Sequence, residues 1–373
     1  MYAQQSLQDT LFIMLYGGVA LLALVTGLIL WLRRGNGLLP DVTPPKALRC
    51  WTAAFFIMAS LSHVWWYVLG VYWLTDDRLV RNITAVTLDH ILLVPLVMAI
   101  LLRMLQDRQH ALWPWFLAQV PILVFAVVGI ATRSEFYGFD LTTYWQLAVM
   151  TVFVLYYIYV LIKYSRWLRE NYADLEHKEL WKSLFFATVL FVVYEVYFTN
   201  PGEMVREYLA QFETLAIIAF LIWRVESLET LDAKETVMPE DIPVVEETDE
   251  SSTNFLSLVV PDNIQELLDK HCEASHLYLQ HDLTLQQLAT AIGTNRTYLS
   301  AYFAQQGITY NAYINRLRVD HFMRLYRESV KANRPATAVQ LSQKSGFRSY
   351  STFATAFKFF NGLTVAAWTK SPD

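Results

Sequence analysis

For its first 225 residues the chain alternates long apolar runs with short polar breaks. Residues 11–32 contain no charge, and apolar runs at 51–73, 83–102, 111–131 and 144–162 follow. Two further runs, 183–199 and 208–223, are shorter. A bilayer-crossing helix needs about 20 mostly apolar residues, so the pattern predicts seven spans over residues 1–225. The apolar periodicity then stops. Residues 226–258 are rich in acidic residues, Pro and Ser, the composition of a solvated tether. Helical periodicity returns over residues 259–373, now with an ordinary polar face. Leu221, Val225 and Leu228, spaced by four and three, continue the last helix with a short a/d-like seam, too brief to establish a coiled coil. The expected fold is therefore all-α, a seven-span bundle followed by an acidic linker and a soluble helical domain.

Composition supports this division. The 373 residues are 55% apolar and 17% charged, against about 25% charged in a soluble globular chain. That excludes a disordered or fibrous chain. The two cysteines, Cys50 and Cys272, are far apart and define neither a disulfide framework nor a thiolate metal site. The first block is neutral, 226–250 has a net charge of −9, and 251–373 has a net charge of +4. Lys and Arg favour the cytoplasmic side of membrane proteins. Segments 33–50, 103–110 and 163–182 hold eleven basic residues, and the alternate segments 1–10, 74–82, 132–143 and 200–207 hold four. The expectation is an N-terminus outside and a C-terminus in the cytoplasm. The first span lacks the positive leader and small-residue cleavage site of a signal peptide.

Five ionisable residues fall within the runs: His63, Asp89, His90, Glu195 and Glu213. Charge in the bilayer is costly, so such residues face the bundle interior, pair with one another or mark a functional site. They are candidates for sensing a small molecule or a proton, with hydrogen-bonded interior contacts as the plainer reading. No helical i, i+4 ligand pair supports a metal site, and no cofactor or catalytic spacing is expected.

The C-terminal domain contains an internal repeat. Leu288, Ala289 and Gly293 recur as Leu341, Ser342 and Gly346, 53 residues later. Leu299 and Phe303 recur as Phe353 and Phe357, and Gly307, Thr309 and Tyr313 as Gly362, Thr364 and Trp368. Each copy reads as helix, glycine turn, helix. Thr284-x-x-Gln287 is a capping box, Gly293 supplies the left-handed turn, and Thr294 or Asn295 caps the second helix. In the second copy Gly346 ends the first helix and Ser349 caps the next. This is the helix-turn-helix arrangement, whose second helix enters the DNA major groove. Residues 310–329 form one helical pattern of about 30 Å at 1.5 Å per residue. Such a helix can hold two recognition helices roughly one DNA turn, 34–36 Å, apart.

These stretches, IGTNRTYLSAYFAQQGITYNAYINRLR and SGFRSYSTFATAFKFFNGLTVAAW, resemble the AraC/XylS family of transcription regulators. Gly346, Phe347, Ser349, Ser351, Phe353, Phe357, Lys358, Gly362 and Thr364 match the signature of the family's second unit. The resemblance covers about residues 260–370, and the whole chain looks like the membrane-anchored bacterial members. It departs at Thr355 and Thr369, where the family usually has arginine, and at Val365 and Trp368, which replace proline and tyrosine. The resemblance places base-facing residues at Thr297, Ser300 and Ala301 and at Tyr350, Ser351, Thr352 and Thr355. Arg296, Arg348 and Lys358 are better placed for phosphate.

Together these features give a one-component transcription regulator in the bacterial cytoplasmic (inner) membrane. Its expected partners are double-stranded DNA, the lipid bilayer, a small-molecule or proton signal and a second copy in a homodimer. The alternatives are a membrane enzyme or transporter, or a protein-binding sensor, with the helical domain as a regulatory module.

Overall fold

The computed structural model describes residues 7–33, 35–37, 43–70, 75–175, 188, 203–231, 263–333 and 336–370. The chain divides into two compact units. The first joins residues 1–164 and 180–231, and the second joins 165–179 and 232–373. Among the described residues the regular structure is helical, apart from one isolated bridge between Tyr172 and Thr284. The fold class is all-α, as expected.

The first unit contains α1 (Leu7–Leu32), α2 (Lys46–Gly70), α3 (Arg78–Arg103), α4 (Trp113–Leu117), α5 (Val120–Thr132), most of α6 (Leu141–Asn171) and α7 (Glu203–Ser227). A π-helical turn, Phe136–Asp140, leads into α6. Pro114 and Pro121 each sit in a first helical turn, where a missing N–H costs nothing. They divide the run near residue 118 into α4 and α5. Six helical stretches are long and apolar enough to cross a membrane. The expected span at 183–199, apart from Thr188, lies outside the described residues.

The surface of this unit is itself apolar. Leu21, Trp31, Leu32, Val127, Leu155 and Ile162 are all exposed. Water disfavours so continuous an apolar surface, whereas hydrocarbon does not, so the six helices are compatible with a membrane-spanning region. Packing inside is close. A Cβ on Gly129 would lie 2.7 Å from the Gly138 backbone, and one on Gly138 would strike Ile83. Only glycines let α5 and the π turn approach this far.

The start of the expected linker is folded. α7 continues to Ser227, and Leu228 and Leu231 are buried. Asn36 Nδ2 donates to the Glu226 carbonyl at 3.0 Å, and Thr230 N donates to the Thr43 carbonyl at 2.8 Å. Gln106 Nε2 donates to the Glu229 carbonyl at 2.9 Å, and Gln106 Oε1 accepts from Leu231 N at 2.9 Å. Residues 232–258 lie outside the described residues. Leu221, Val225 and Leu228 of the seam are all buried within the chain. Periodicity marks an apolar stripe and leaves its partner unspecified.

The second unit is built from two small cores. Its elements are α8 (Ile264–Leu268), α9 (Leu285–Ala291), α10 (Arg296–Gln305), α11 (Tyr310–Lys331), α12 (Ala338–Lys344), α13 (Tyr350–Asn361) and α14 (Val365–Trp368). The first core gathers Leu268, Leu285, Leu288, Leu299, Phe303, Tyr310 and Ile314. The second gathers Val319, Phe322, Leu341, Phe347, Phe353, Phe357 and Trp368. α11 therefore gives its N-terminal half to one core and its C-terminal half to the other.

Arg318 stands at the division and is almost fully buried. Its Nε donates to the Tyr278 carbonyl at 2.8 Å. A terminal nitrogen donates to the carbonyls of Gln280 at 2.6 Å and His281 at 3.2 Å. The guanidinium also lies 5.8 Å from the centre of the Phe347 ring. It satisfies a buried bend of backbone that would otherwise lose its water without replacement.

Candidate nucleic-acid interface

Local chemistry fixes both helix pairs. Thr284 and Gln287 form a reciprocal capping box at the start of α9, and Thr337 and Gln340 form another at the start of α12. Gly293 and Gly346 turn the chain between the helices of each pair with φ of 76° and 88°. At Gly346 a side chain is excluded twice, because a Cβ would also come within 2.9 Å of the Leu279 backbone. Asn295 accepts from Tyr298 N at 2.8 Å and opens α10. Ser349 accepts from Thr352 N at 3.3 Å and opens α13. The connecting helix α11 has 22 residues, or about 33 Å at the standard rise. Two glycine-turned helix pairs, each with a capped second helix, thus flank one rigid connector.

On α10, Thr297 is exposed and Ser300 is half-buried. Ala301 is corrected: it is fully buried and closed off from any groove. Alanine suits a core or a surface equally, and spacing along one helix does not reveal which. Arg296 is half-buried, and its Nε donates to Asn171 Oδ1 at 2.9 Å.

On α13, Tyr350 and Ser351 are exposed, as are Thr355 and Lys358. Tyr350, Thr355 and Lys358 line one side of an open groove completed by Phe359 and Thr364–Ala366. Ser351 and Thr352 lie with Ser349 in a hydroxyl cluster, with Ser349 Oγ 3.1 and 3.0 Å from the other two hydroxyls. Thr355 Oγ1 donates back to the Ser351 carbonyl at 3.0 Å. Arg348, just before this helix, is 3.6 Å from Asp282.

The ionisable residues of the first unit separate into groups. Asp89 accepts from Ser62 Oγ and from Trp66 Nε1, each at 2.6 Å. The neighbouring His63 contacts the Ala59 carbonyl through Nδ1 at 2.8 Å and Gln211 Oε1 through Nε2 at 3.1 Å. Tyr16 donates to the His63 carbonyl at 2.6 Å. Residues of α1, α2, α3 and α7 therefore meet in one polar cluster. His90 instead turns its Nδ1 to the Val86 carbonyl of its own helix at 2.7 Å. Glu213 is half-buried on α7, and Glu195 lies outside the described residues. The sequence reading did not single out Tyr16, Ser62, Trp66 or Gln211, because uncharged polar residues are common in spans. Among the described residues no three His, Cys, Asp or Glu side chains gather as a metal site requires.

Comparison with known proteins bears on the second unit. Residues 271–371 match a family model described as a helix-turn-helix domain, of the AraC type. No curated protein and no solved structure matches the chain. The C-terminal region is an AraC-family DNA-binding domain, whose function is sequence-specific DNA binding in transcription regulation.

Proposed function

We propose that the chain is a membrane-embedded one-component transcription regulator. Its apolar helices perceive a signal, and its two helix-turn-helix units bind DNA at the cytoplasmic face of the bacterial inner membrane. The observation that carries this reading is the presence in one chain of six span-length apolar helices and a paired helix-turn-helix domain. A soluble regulator has no use for that apolar surface.

The topology reading has independent support. Segments 33–50 and 103–110, assigned to the cytoplasm by their basic residues, hydrogen-bond to the chain leaving α7 through Asn36, Thr43 and Gln106. This matches the parity that carries the DNA-binding domain into the cytoplasm. Thr297 and Ser300, with Tyr350, Ser351, Thr352 and Thr355, are the proposed base readers. Arg296, Arg348 and Lys358 are the proposed phosphate contacts. The cluster around Asp89 and His63 is the proposed sensing site, and action as a homodimer belongs to the same reading.

Reporter fusions test the arrangement. A fusion after residue 230 should report the cytoplasm, and one at residue 138 should report the outside. A periplasmic signal at 230 would sink the proposal, because the DNA-binding domain would lie on the wrong side of the membrane.

A further inference from the structure

The chain leaving α6 is built into the DNA-binding unit. Residues 165–179 group with the C-terminal residues and not with the other spans. Four contacts fix the segment that follows Asn171. Tyr172 makes an antiparallel bridge with Thr284, and Ala173 N donates to the Leu283 carbonyl at 3.3 Å. Asn311 Nδ2 donates to the carbonyls of Ala173 at 2.7 Å and Tyr172 at 3.2 Å. Ala173 is 1% exposed and belongs to the first core, alongside Leu283, Leu285 and Tyr310. Arg296 Nε holds Asn171 Oδ1 at 2.9 Å. Asp174 is buried beyond the bridge, and its charge favours the guanidinium of Arg318.

These contacts fall on the parts of a helix-turn-helix that meet a DNA backbone. Thr284 is the N-cap of α9, the first helix of the pair, which crosses the phosphates in this motif. Arg296 is the first residue of the recognition helix α10. A strap bridged to Thr284 and hydrogen-bonded to Arg296 occupies the approach that a phosphate would use.

We infer that residues 171–174 form an inhibitory strap. Docked, the strap withholds the first helix-turn-helix unit from DNA; released, it frees Arg296 to meet phosphate. The end of α6 is then a route of control additional to the chain that follows α7. This inference rests on the reading of Arg296 as a phosphate contact.

The test uses the full chain in lipid nanodiscs and a fluorescein-labelled random-sequence duplex of about 40 base pairs at low salt, where phosphate contacts dominate binding. Asn171→Ala and Asn311→Ala each remove hydrogen bonds of the docked form only. Each should raise DNA affinity roughly three- to tenfold, the worth of about one such bond. The second arm locks the strap. Tyr172→Cys with Thr284→Cys, in a Cys50→Ser background, places two thiols across the bridge. Paired residues there have Cα atoms about 4.5–5.5 Å apart, within disulfide range. The oxidised protein should bind at least tenfold more weakly than the reduced protein. Unchanged or weaker binding by both alanine variants, with a lock that has no effect, overturns the strap. Arg296→Ala, made in the Asn171→Ala background where the strap's bond to Arg296 is already gone, separates the two readings. If it weakens binding while the strap variants and the lock do nothing, the phosphate reading stands and the strap falls. If it leaves binding unchanged, the phosphate reading falls and the strap falls with it.

Discussion

At the scale of residues, two side chains on α11 carry opposite lessons about burial. Arg318 spends its charge on three main-chain carbonyls, and burial lowers its pKa. Arg318→Ala leaves those carbonyls without a donor and opens a void, at a cost of about 2–4 kcal/mol. Hydrogen exchange should show protection lost first at residues 278–281. Arg318→Lys keeps the charge but loses the planar fork, so it should fall between. One turn further on, burial lowers the pKa of His321, with Arg324 and His276 acting in the same direction and Glu328 opposing them. Its ring also faces the Tyr278 hydroxyl at 3.0 Å. Unfolding restores a value of about 6.5, so below that pH the unfolded chain binds more protons. Stability of the second unit should therefore fall as pH drops through the window from about 6.5 to the lowered folded value. His321→Gln should flatten that slope in denaturation curves taken at several pH values; an unchanged slope would exclude His321 as its source. On the proposed interface, Thr297→Ala should relax preference at one base position. Arg296→Ala should weaken binding about equally across sequences and reduce the salt slope by about one.

At the scale of elements, legibility in the sequence follows the range of the interactions. The helix pairs were readable because caps and turns are local: Thr284 with Gln287, Gly293 and Gly346 each act within a few residues. The second capping box, Thr337 with Gln340, carries the same Thr-x-x-Gln spacing 53 residues after the first, so its signal lay in the repeat all along. Thr337→Ala should cost about 1 kcal/mol, seen as faster exchange of the first-turn amides of α12. Readings that depended on distant partners fared differently. Ala301 carries no mark of burial, since alanine suits either a core or a surface. Leu221, Val225 and Leu228 announced an apolar stripe, yet the covering surface belongs to the same chain. The docking of Asn171–Ala173 against Thr284, α10 and α11 joins residues more than a hundred positions apart, and no periodicity encodes it. The approach of Gly129 to Gly138 was equally hidden. Gly129→Ala forces a methyl within 2.7 Å of backbone, so it should lower the temperature at which the detergent-solubilised protein aggregates. An unchanged temperature would mean that the π turn can yield.

At the scale of the whole molecule, a signal must be perceived before a helix-turn-helix can respond to it. A ligand or proton shifts a conformational equilibrium only as far as it favours one state over another, so the proposed sensing groups must touch helices that can rearrange. The cluster around Asp89 meets that condition within the first unit, because its members come from α1, α2, α3 and α7. Both Asp89 oxygens already hold donors from α2. Protonation, or a cationic or hydrogen-bonding ligand, would compete with Ser62 and Trp66 for the same oxygens and loosen α3 from α2. On the neighbouring side chain, His63 holds Gln211 of α7, the helix whose end is tied to the loops at Asn36, Thr43 and Gln106. Asp89→Asn preserves the shape of the carboxyl and one acceptor oxygen but removes its charge, and the amide nitrogen cannot accept the second donor. The variant should lock transcription at one level across a panel of external pH values and carbon sources. Membrane levels and the affinity of the nanodisc-embedded protein for duplex DNA should stay normal. Gln211→Leu, which removes the contact to His63 and leaves Asp89 intact, should blunt the same response. A parental response in both variants, at parental protein levels, would assign the cluster to helix packing and move the search for the sensing site elsewhere in the first unit.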